Sequence, residues 1–144
     1  MGRELLLAID HVGVAVPDLD AAIAFYTEVL GLEVQHREVN AEQGVAEAML
    51  APPGTQAEWA QVQLLAPLTP GSPIARFLDR NGPGLQQVAY RVRDVDAAAD
   101  ELRHRGLRLL YDEAKAGTRG SRVNFVHPGD AGGVLIELVE IAAH

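Results

Sequence analysis

Apolar and polar residues alternate along two stretches of the chain, and each stretch precedes a segment with helical spacing. Residues 9–16 and 86–92 carry apolar side chains at every second position, which is typical of half-buried strands. After the first stretch, apolar residues recur at helical intervals: Leu19, Ala22, Ile23, Tyr26 and Leu30. The pattern predicts a strand followed by a helix at two places.

The two strand–helix segments resemble each other in sequence. Residues 9–22 align with residues 85–98 at an offset of 76, and six aligned pairs are identical. Further along, residues 62–65 match residues 136–139 at nearly the same offset. Order and spacing are kept, so the chain contains two copies of one supersecondary unit.

Each copy is predicted to have the element order βαβββ. Asp18 and Asp94 are suited to cap the helix N-termini, and Gly31 and Gly106 suit the left-handed residue after a helix. Three more predicted strands follow in each copy, near residues 34–39, 46–50 and 60–65 in the first and near residues 108–111, 122–126 and 134–139 in the second.

We therefore predict an α+β fold in which two tandem modules form one curved mixed sheet around a cup. Residues 1–144 would be a single domain. Within it, residues 5–69 form the first module, residues 70–84 a connector rich in turn residues, and residues 85–141 the second module.

Composition narrows the class of protein and its partners. Apolar residues make up 48% of the 144 residues and charged residues 22%, which is typical of a globular domain. The chain has no cysteine, which excludes disulfides, thiolate zinc sites and cysteine nucleophiles. A net charge of −8 would repel nucleic acid and anionic membranes, and no apolar run is long enough to span a membrane. We expect a cytoplasmic protein that binds neither nucleic acid nor membranes.

Alternation also predicts that four polar side chains face the same side of the sheet. His11 and Gln87 begin the first strand of each copy, and Gln63 and Glu137 lie within the last strand. One imidazole nitrogen and three oxygens suit a six-coordinate divalent ion such as Co²⁺, Mn²⁺, Ni²⁺ or Mg²⁺. Each residue taken alone has a structural alternative as a buried or edge polar group. The matched placement in both copies favours a metal site.

Glu47 lies in a predicted strand between apolar residues. Its neighbours on the same strand face, Val45 and Met49, are apolar. A carboxylate that points from an apolar surface into a cavity is expected to have a raised pKa, which suits a general base. The alternative is a solvated glutamate on an edge strand.

Several motifs carry a resemblance to a known family. They are Asp10-His-Val-Gly-Val-Ala-Val16, Glu42-Gln-Gly-Val-Ala-Glu-Ala-Met-Leu50, Val62-Gln-Leu-Leu-Ala-Pro67, Gly120-Ser-Arg-Val-Asn-Phe125 and Gly133-Val-Leu-Ile-Glu-Leu138. On them the sequence resembles the vicinal oxygen chelate superfamily, which includes glyoxalases, bleomycin resistance proteins and dioxygenases. Within it, the sequence is similar to the methylmalonyl-CoA epimerase family. The resemblance implies the vicinal oxygen chelate fold.

The resemblance also implies roles for individual residues. The metal ligands would be His11, Gln63, Gln87 and Glu137, and the two acid/base groups would be Glu47 and Glu137. Candidate substrate-binding residues are Gln43, Lys115, Arg119, Ser121 and Arg122. The implied reaction is epimerisation of 2-methylmalonyl-CoA by two-base proton transfer through a metal-stabilised enolate. Co²⁺ is the first choice of metal, with Mn²⁺, Ni²⁺, Mg²⁺ and Zn²⁺ as alternatives, and we expect an acyl-CoA substrate and a homodimer.

One position departs from the family pattern and keeps other functions open. Family members usually carry two histidines where this chain has Gln86 and Gln87. A glutamine oxygen can still coordinate a metal, with weaker affinity for late transition metals. The alternatives are a glyoxalase-like isomerase or lyase, and a metal-free protein that binds a small molecule in the cup.

Overall fold

A computed structural model describes residues 5–142 of the chain. The chain divides into two compact units, which we call the first and second units. The first unit is His11–Gln86, and the second consists of Met1–Asp10 together with Gln87–His144. Each unit has the predicted order of one strand, a helix and three further strands.

The first unit contains four strands and two helices. The strands are β1 (Ala8–Ala15, whose first three residues group with the second unit), β2 (Glu33–Asn40), β3 (Val45–Ala51) and β4 (Gln61–Pro67). They lie in the order β2-β3-β4-β1, with β1 parallel to β4 and the other pairs antiparallel. Helix α1 (Leu19–Ala24) continues as a wider π-helical turn over Phe25–Val29, and α2 (Pro73–Asn81) follows β4.

The first helix begins and ends where the sequence predicts. The Asp18 carboxylate accepts a hydrogen bond from the Ala21 backbone N–H at 3.1 Å, which satisfies a first-turn amide. Gly31 has a φ of +77°, in the left-handed region that glycine occupies without steric cost. The predicted strand–helix order of the first copy is confirmed.

The two faces of the first-unit sheet differ in how many buried apolar side chains they carry. The face toward α1 carries a core of buried residues: Val16, Leu19, Ala48, Leu50, Leu64 and Ala66. Burying one side chain of leucine size contributes about 1.5–3 kcal/mol. On the opposite face, Ala15, Val45 and Leu65 pack against Ile74 of α2. Helix α2 covers only one end of that face, and the polar residues described below lie on the remainder.

The second unit repeats this arrangement. Its strands are β5 (Gly84–Arg91, whose first three residues group with the first unit), β6 (Lys115–Ala116), β7 (Arg122–Val126) and β8 (Ile136–Glu140), in the order β5-β8-β7-β6. Strand β5 is parallel to β8, as β1 is to β4. Helix α3 (Val95–His104) is capped by Asp94, which accepts from the Ala97 N–H at 3.0 Å.

The predicted strand at residues 108–111 is wrong as a regular strand. Leu109 forms an isolated bridge to Val126, and the ladder does not continue. The buried Asn124 side chain instead binds both backbone groups of Tyr111, with distances of 3.1 Å to its nitrogen and 3.0 Å to its oxygen. A side chain therefore replaces the strand partner at this point.

No helix among residues 5–142 combines the length and the apolar character needed to cross a bilayer.

Candidate functional site

His11 and Gln63 lie on the same face of the first-unit sheet, on adjacent parallel strands. In the β1–β4 register, His11 pairs with Gln61 and Gly13 pairs with Gln63. Paired residues of a sheet point to the same face, and residues two apart on one strand share it. The two side chains are therefore diagonal neighbours, and the residue directly beside Gln63 is a glycine.

Gln87 and Glu137 have the same relationship in the second unit. Strand β5 is parallel to β8, with Ala89 paired to Glu137, so Gln87 lies diagonal to that carboxylate. The Gln87 Nε2 donates a hydrogen bond to Glu137 Oε1 at 2.6 Å. Ala89 pairs with Glu137, just as Gly13 pairs with Gln63. The sequence repeat at His11 and Gln87 thus corresponds to equivalent positions in the strands of the two units.

All of these polar side chains are removed from solvent. His11, Glu47, Gln63, Gln87 and Glu137 are between 3% and 7% exposed. Polar and charged groups in cores are costly to bury unless they are hydrogen-bonded or serve a site. Three such residues in the first unit and two in the second indicate a functional role for the face that carries them in each unit.

Glu47 lies on β3 on the same face as Gln63. In the β3–β4 register Glu47 pairs with Leu65 and Met49 pairs with Gln63. The carboxylate therefore borders the apolar cluster formed with α2, and Gln63 is its diagonal neighbour across the strand pair. This is the apolar strand setting expected from the sequence, and it makes Glu47 a buried carboxylate on the polar part of the face.

Two residues that sequence reasoning left out lie on this face as well. Glu38 of β2 pairs directly with Glu47, and His36 pairs with Met49. His36 is half-buried, and its Nε2 lies 2.5 Å from Glu38 Oε1. A β-bulge between Val34 and His36 sets this register. No sequence signal of a bulge marks the position.

Among the candidate substrate-binding residues, Lys115 lies on the Glu137 face of the second-unit sheet. It pairs with Val123, and Phe125, two residues further along β7, pairs with Glu137. The Lys115 ammonium stands 4.3 Å from the centroid of the Tyr111 ring, which packs edge-to-face on Phe125. Cation–π stacking of this kind holds the ammonium over the aromatic ring.

Arg119 and Ser121 belong to a tight turn before β7. Arg119 has a φ of +59°, an uncommon backbone conformation for a residue with a side chain. Ser121 is buried, and its carbonyl accepts from the Gly117 N–H at 2.9 Å. A Cβ on Gly117 would lie 2.6 Å from Val123 Cγ1, so the turn requires glycine there.

Arg122 and Gln43 have other surroundings. The Arg122 guanidinium donates to Asp96 at 2.9 Å and to Glu140 at 3.5 Å, and these carboxylates raise the pKa of Arg122 above its ordinary value. Arg122 pairs with Glu140 in the β7–β8 register, on the face opposite to Glu137. Gln43 lies in the turn between β2 and β3, where its backbone N–H donates to Asn40 Oδ1 at 3.0 Å.

The donors in each unit fit a divalent ion that accepts oxygen ligands. Within residues 5–142, no three His, Cys, Asp or Glu side chains cluster in a way that would hold a metal. His11 and Gln63 offer an imidazole nitrogen and an amide oxygen in the first unit, and Gln87 and Glu137 offer an amide oxygen and a carboxylate in the second. Gln87 donates to Glu137 through Nε2, and the Oε1 of a glutamine is the atom that can coordinate a cation. The residues that pair with Gln63 and Glu137 are both small, Gly13 and Ala89.

Comparisons with known proteins show the family of the chain. The model of the Glyoxalase/Bleomycin resistance protein/Dioxygenase superfamily matches residues 10–125. The ethylmalonyl-CoA/methylmalonyl-CoA epimerase of Cereibacter sphaeroides is 41% identical over 135 residues, which cover 92% of this chain and 97% of the relative.

Solved structures of similar proteins confirm the predicted fold class. A methylmalonyl-CoA epimerase from Mycobacterium tuberculosis is 55% identical and has a TM-score of 0.92, covering 99% of this chain and 93% of that one. A Streptomyces coelicolor methylmalonyl-CoA epimerase variant in complex with 2-nitronate-propionyl-CoA is 47% identical, with a TM-score of 0.91 and coverage of 96% and 99%. The chain belongs to the methylmalonyl-CoA epimerases of the Glyoxalase/Bleomycin resistance protein/Dioxygenase superfamily.

Proposed function

We propose that this chain interconverts the two enantiomers of 2-methylmalonyl-CoA by moving the proton at C2. The epimerase activity is supported by relatives of that name that align along nearly the whole chain. An acyl-CoA substrate is supported by the Streptomyces coelicolor relative, which binds a CoA thioester. The buried carboxylates Glu47 and Glu137 carry the proposal, because inversion at one carbon needs two groups that exchange protons.

The proposed reaction uses one carboxylate on each side of the substrate carbon. For one enantiomer, the Glu47 carboxylate removes the C2 proton, and the electron pair of the broken C–H bond delocalises onto the thioester oxygen. Glu137 in its acid form then donates a proton to the opposite face of C2. The other enantiomer reacts in the reverse order. Positioned acid/base groups of this kind contribute roughly 10²- to 10⁴-fold in rate.

A divalent metal completes the proposed site. Its proposed ligands are His11, Gln63, Gln87 and Glu137. When bound, a divalent cation acts as a Lewis acid that stabilises negative charge developing on a carbonyl oxygen. Three oxygen donors and one nitrogen suit a six-coordinate divalent ion. Our first choice is Co²⁺, with Mn²⁺, Ni²⁺, Mg²⁺ and Zn²⁺ as alternatives.

The chain's own residues hold the proton-transfer groups in place. The Gln87 amide orients the Glu137 carboxylate through the 2.6 Å hydrogen bond. In the first unit, the apolar cluster that the strands form with α2 borders Glu47 and excludes water from that side of its carboxylate.

Anionic parts of the substrate need cationic partners. We propose Lys115 and Arg119 for the carboxylate or the CoA phosphates, with Ser121 and Gln43 as neutral hydrogen-bonding groups. Arg122 is less favoured because Asp96 and Glu140 already pair with it. A homodimer, a cytoplasmic location and the domain boundaries given from the sequence stay predictions.

Deuterium exchange tests the proposed function. Purified protein is incubated with 2-methylmalonyl-CoA in heavy water, with and without a chelator, and then with added Co²⁺. We expect deuterium to enter C2 only when metal is present. Absence of uptake under every condition would overturn the epimerase assignment, and uptake that a chelator leaves unchanged would overturn the metal dependence.

A further inference from the structure

A β-bulge in β2 turns two residues toward the face that carries Glu47. Val34 pairs with Leu50, but the next pair is His36 with Met49, so Gln35 is an extra residue on β2. Leu50 belongs to the core beneath α1, whereas Met49 lies on the opposite face. One inserted residue shifts the pairing by one and reverses the face of all residues that follow.

Without the bulge, His36 and Glu38 would lie on the other face. Regular pairing from Val34 and Leu50 would place His36 opposite Ala48 and Glu38 opposite Ala46, and both of these alanines pack into the core beneath α1. With the bulge, Glu38 stands directly opposite Glu47. Side chains of directly opposite residues start from Cβ atoms roughly 4.5–5.5 Å apart.

His36 holds Glu38 in one orientation. Its Nε2 lies 2.5 Å from Glu38 Oε1, and both side chains are about one-third or less exposed. Partial burial weakens solvent screening of this pair relative to the fully exposed pairs of the surface. The Glu38 carboxylate is thus a fixed group on β2, at the outer side of Glu47.

The two neighbours of Glu47 across the sheet differ in character. On β2 it faces the Glu38 carboxylate, and on β4 it faces Leu65, with Gln63 diagonal to it. Like charges at opposite positions disfavour orientations that bring them together. Repulsion from Glu38 would therefore favour orientations of the Glu47 carboxylate that point away from β2 and toward β4, the strand of the proposed metal ligand Gln63.

We propose that the His36–Glu38 pair is a positioning device that aims the Glu47 carboxylate at the substrate carbon. The proposal rests on the proposed function, because it assigns Glu47 the removal of a proton. His36 and Glu38 touch neither substrate nor metal in this scheme, and they act only through Glu47. A misplacement of about 1 Å can cost roughly 10²-fold in rate, so loss of the pair should be measurable.

The test compares deuterium exchange from each pure enantiomer in heavy water. When Glu47 is impaired, the enantiomer that it deprotonates should lose both exchange and inversion. The other enantiomer is still deprotonated by Glu137, so it should keep exchanging with retention while inversion slows. The Glu47→Gln variant supplies the reference for this asymmetry.

We expect Glu38→Gln and His36→Gln to show the same asymmetry more weakly, with kcat lowered about tenfold or more and KM within about twofold. Metal content and thermal stability should match those of the unchanged protein. Glu33→Gln is the control, since Glu33 is an exposed glutamate of the same strand before the bulge. It should behave as the unchanged protein does.

The outcomes separate the two proposals. If Glu47→Gln gives the asymmetry and both β2 variants exchange as the control does, the positioning proposal is overturned and the proposed function stands. If Glu47→Gln itself exchanges both enantiomers normally, the role of Glu47 and the positioning proposal both fall. Equal loss from both enantiomers in the two β2 variants would indicate a general structural defect and also overturn the proposal.

Discussion

Gln87 donates its side-chain amide to the Glu137 carboxylate at 2.6 Å, between the parallel strands β5 and β8. The hydrogen bond fixes which amide atom faces the carboxylate. In the proposed site, a glutamine at this position would orient a base and would coordinate the metal through its oxygen.

Replacement of Gln87 by histidine should shift metal preference. Imidazole is a stronger donor than an amide oxygen toward late first-row ions, so Gln87→His is expected to tighten Co²⁺, Ni²⁺ and Zn²⁺ binding but not Mg²⁺ binding. Overpacking should cost at most about 1–3 kcal/mol, which leaves the protein folded. Calorimetric titration of each ion provides the measurement. Unchanged affinity for all of them would remove Gln87 from the ligand set.

Glu137→Gln should lower both metal content and activity. The substitution removes the proposed anionic ligand together with one of the two acid/base groups. We expect an epimerisation rate lower by about 10²-fold or more. Metal analysis of the purified variant, beside the exposed-site control Glu113→Gln, measures the first effect. Full metal content in Glu137→Gln would contradict a ligand role.

Glu47→Gln should separate catalysis from metal binding. Glu47 is proposed as a base and not as a ligand, and the amide keeps the shape of the side chain. Epimerisation should fall by about 10²- to 10⁴-fold, with metal content unchanged. Glu42→Gln, in the exposed turn before β3, is the matched control. Activity within about threefold of the control would exclude Glu47 as a base.

The second unit contains an acid-sensitive ion pair at the turn before β8. Hydrogen bonds from the Arg108 side chain and backbone lower the pKa of Asp130 from 3.8 to about 2. Because the pKa of Asp130 is lower in the folded state, the ionised carboxylate stabilises the fold at pH values above 3.8. This stabilisation is lost as the pH falls toward about 2.

Asp130→Asn should therefore be less stable than the unchanged protein at neutral pH, with the difference shrinking through that acid range. Urea unfolding midpoints at several pH values between 7 and about 2 measure the effect. A difference that stays constant with pH would mean that the Asp130 charge does not contribute to stability.

Alternation and capping were sufficient to predict most of the fold. Local chemistry predicts the helix cap at Asp18. It also predicts that β1 has a core side with Val14 and Val16 and a polar side with His11. The equivalence of His11 and Gln87 followed from the repeat, because homologous residues occupy the same diagonal position in each sheet.

Two features depended on contacts that local patterns do not encode. The mostly polar sequence of β2 is compatible with either pairing register. Nothing at Gln35 therefore marks the bulge that turns His36 and Glu38 toward Glu47. The strand predicted near Leu109 reduces to one bridge because Asn124, distant in sequence, binds the backbone of Tyr111.

Parallel pairing of the strands that carry the polar pairs has a consequence for folding. Residues 11 and 63 are 52 positions apart in the chain, and residues 87 and 137 are 50 apart, yet each pair lies on adjacent strands. Closing loops of that length costs conformational entropy before any stabilising contact forms, which slows folding. Neither half of the proposed metal site exists until its last strand has paired, so we expect nascent or partly unfolded chains to have little affinity for metal.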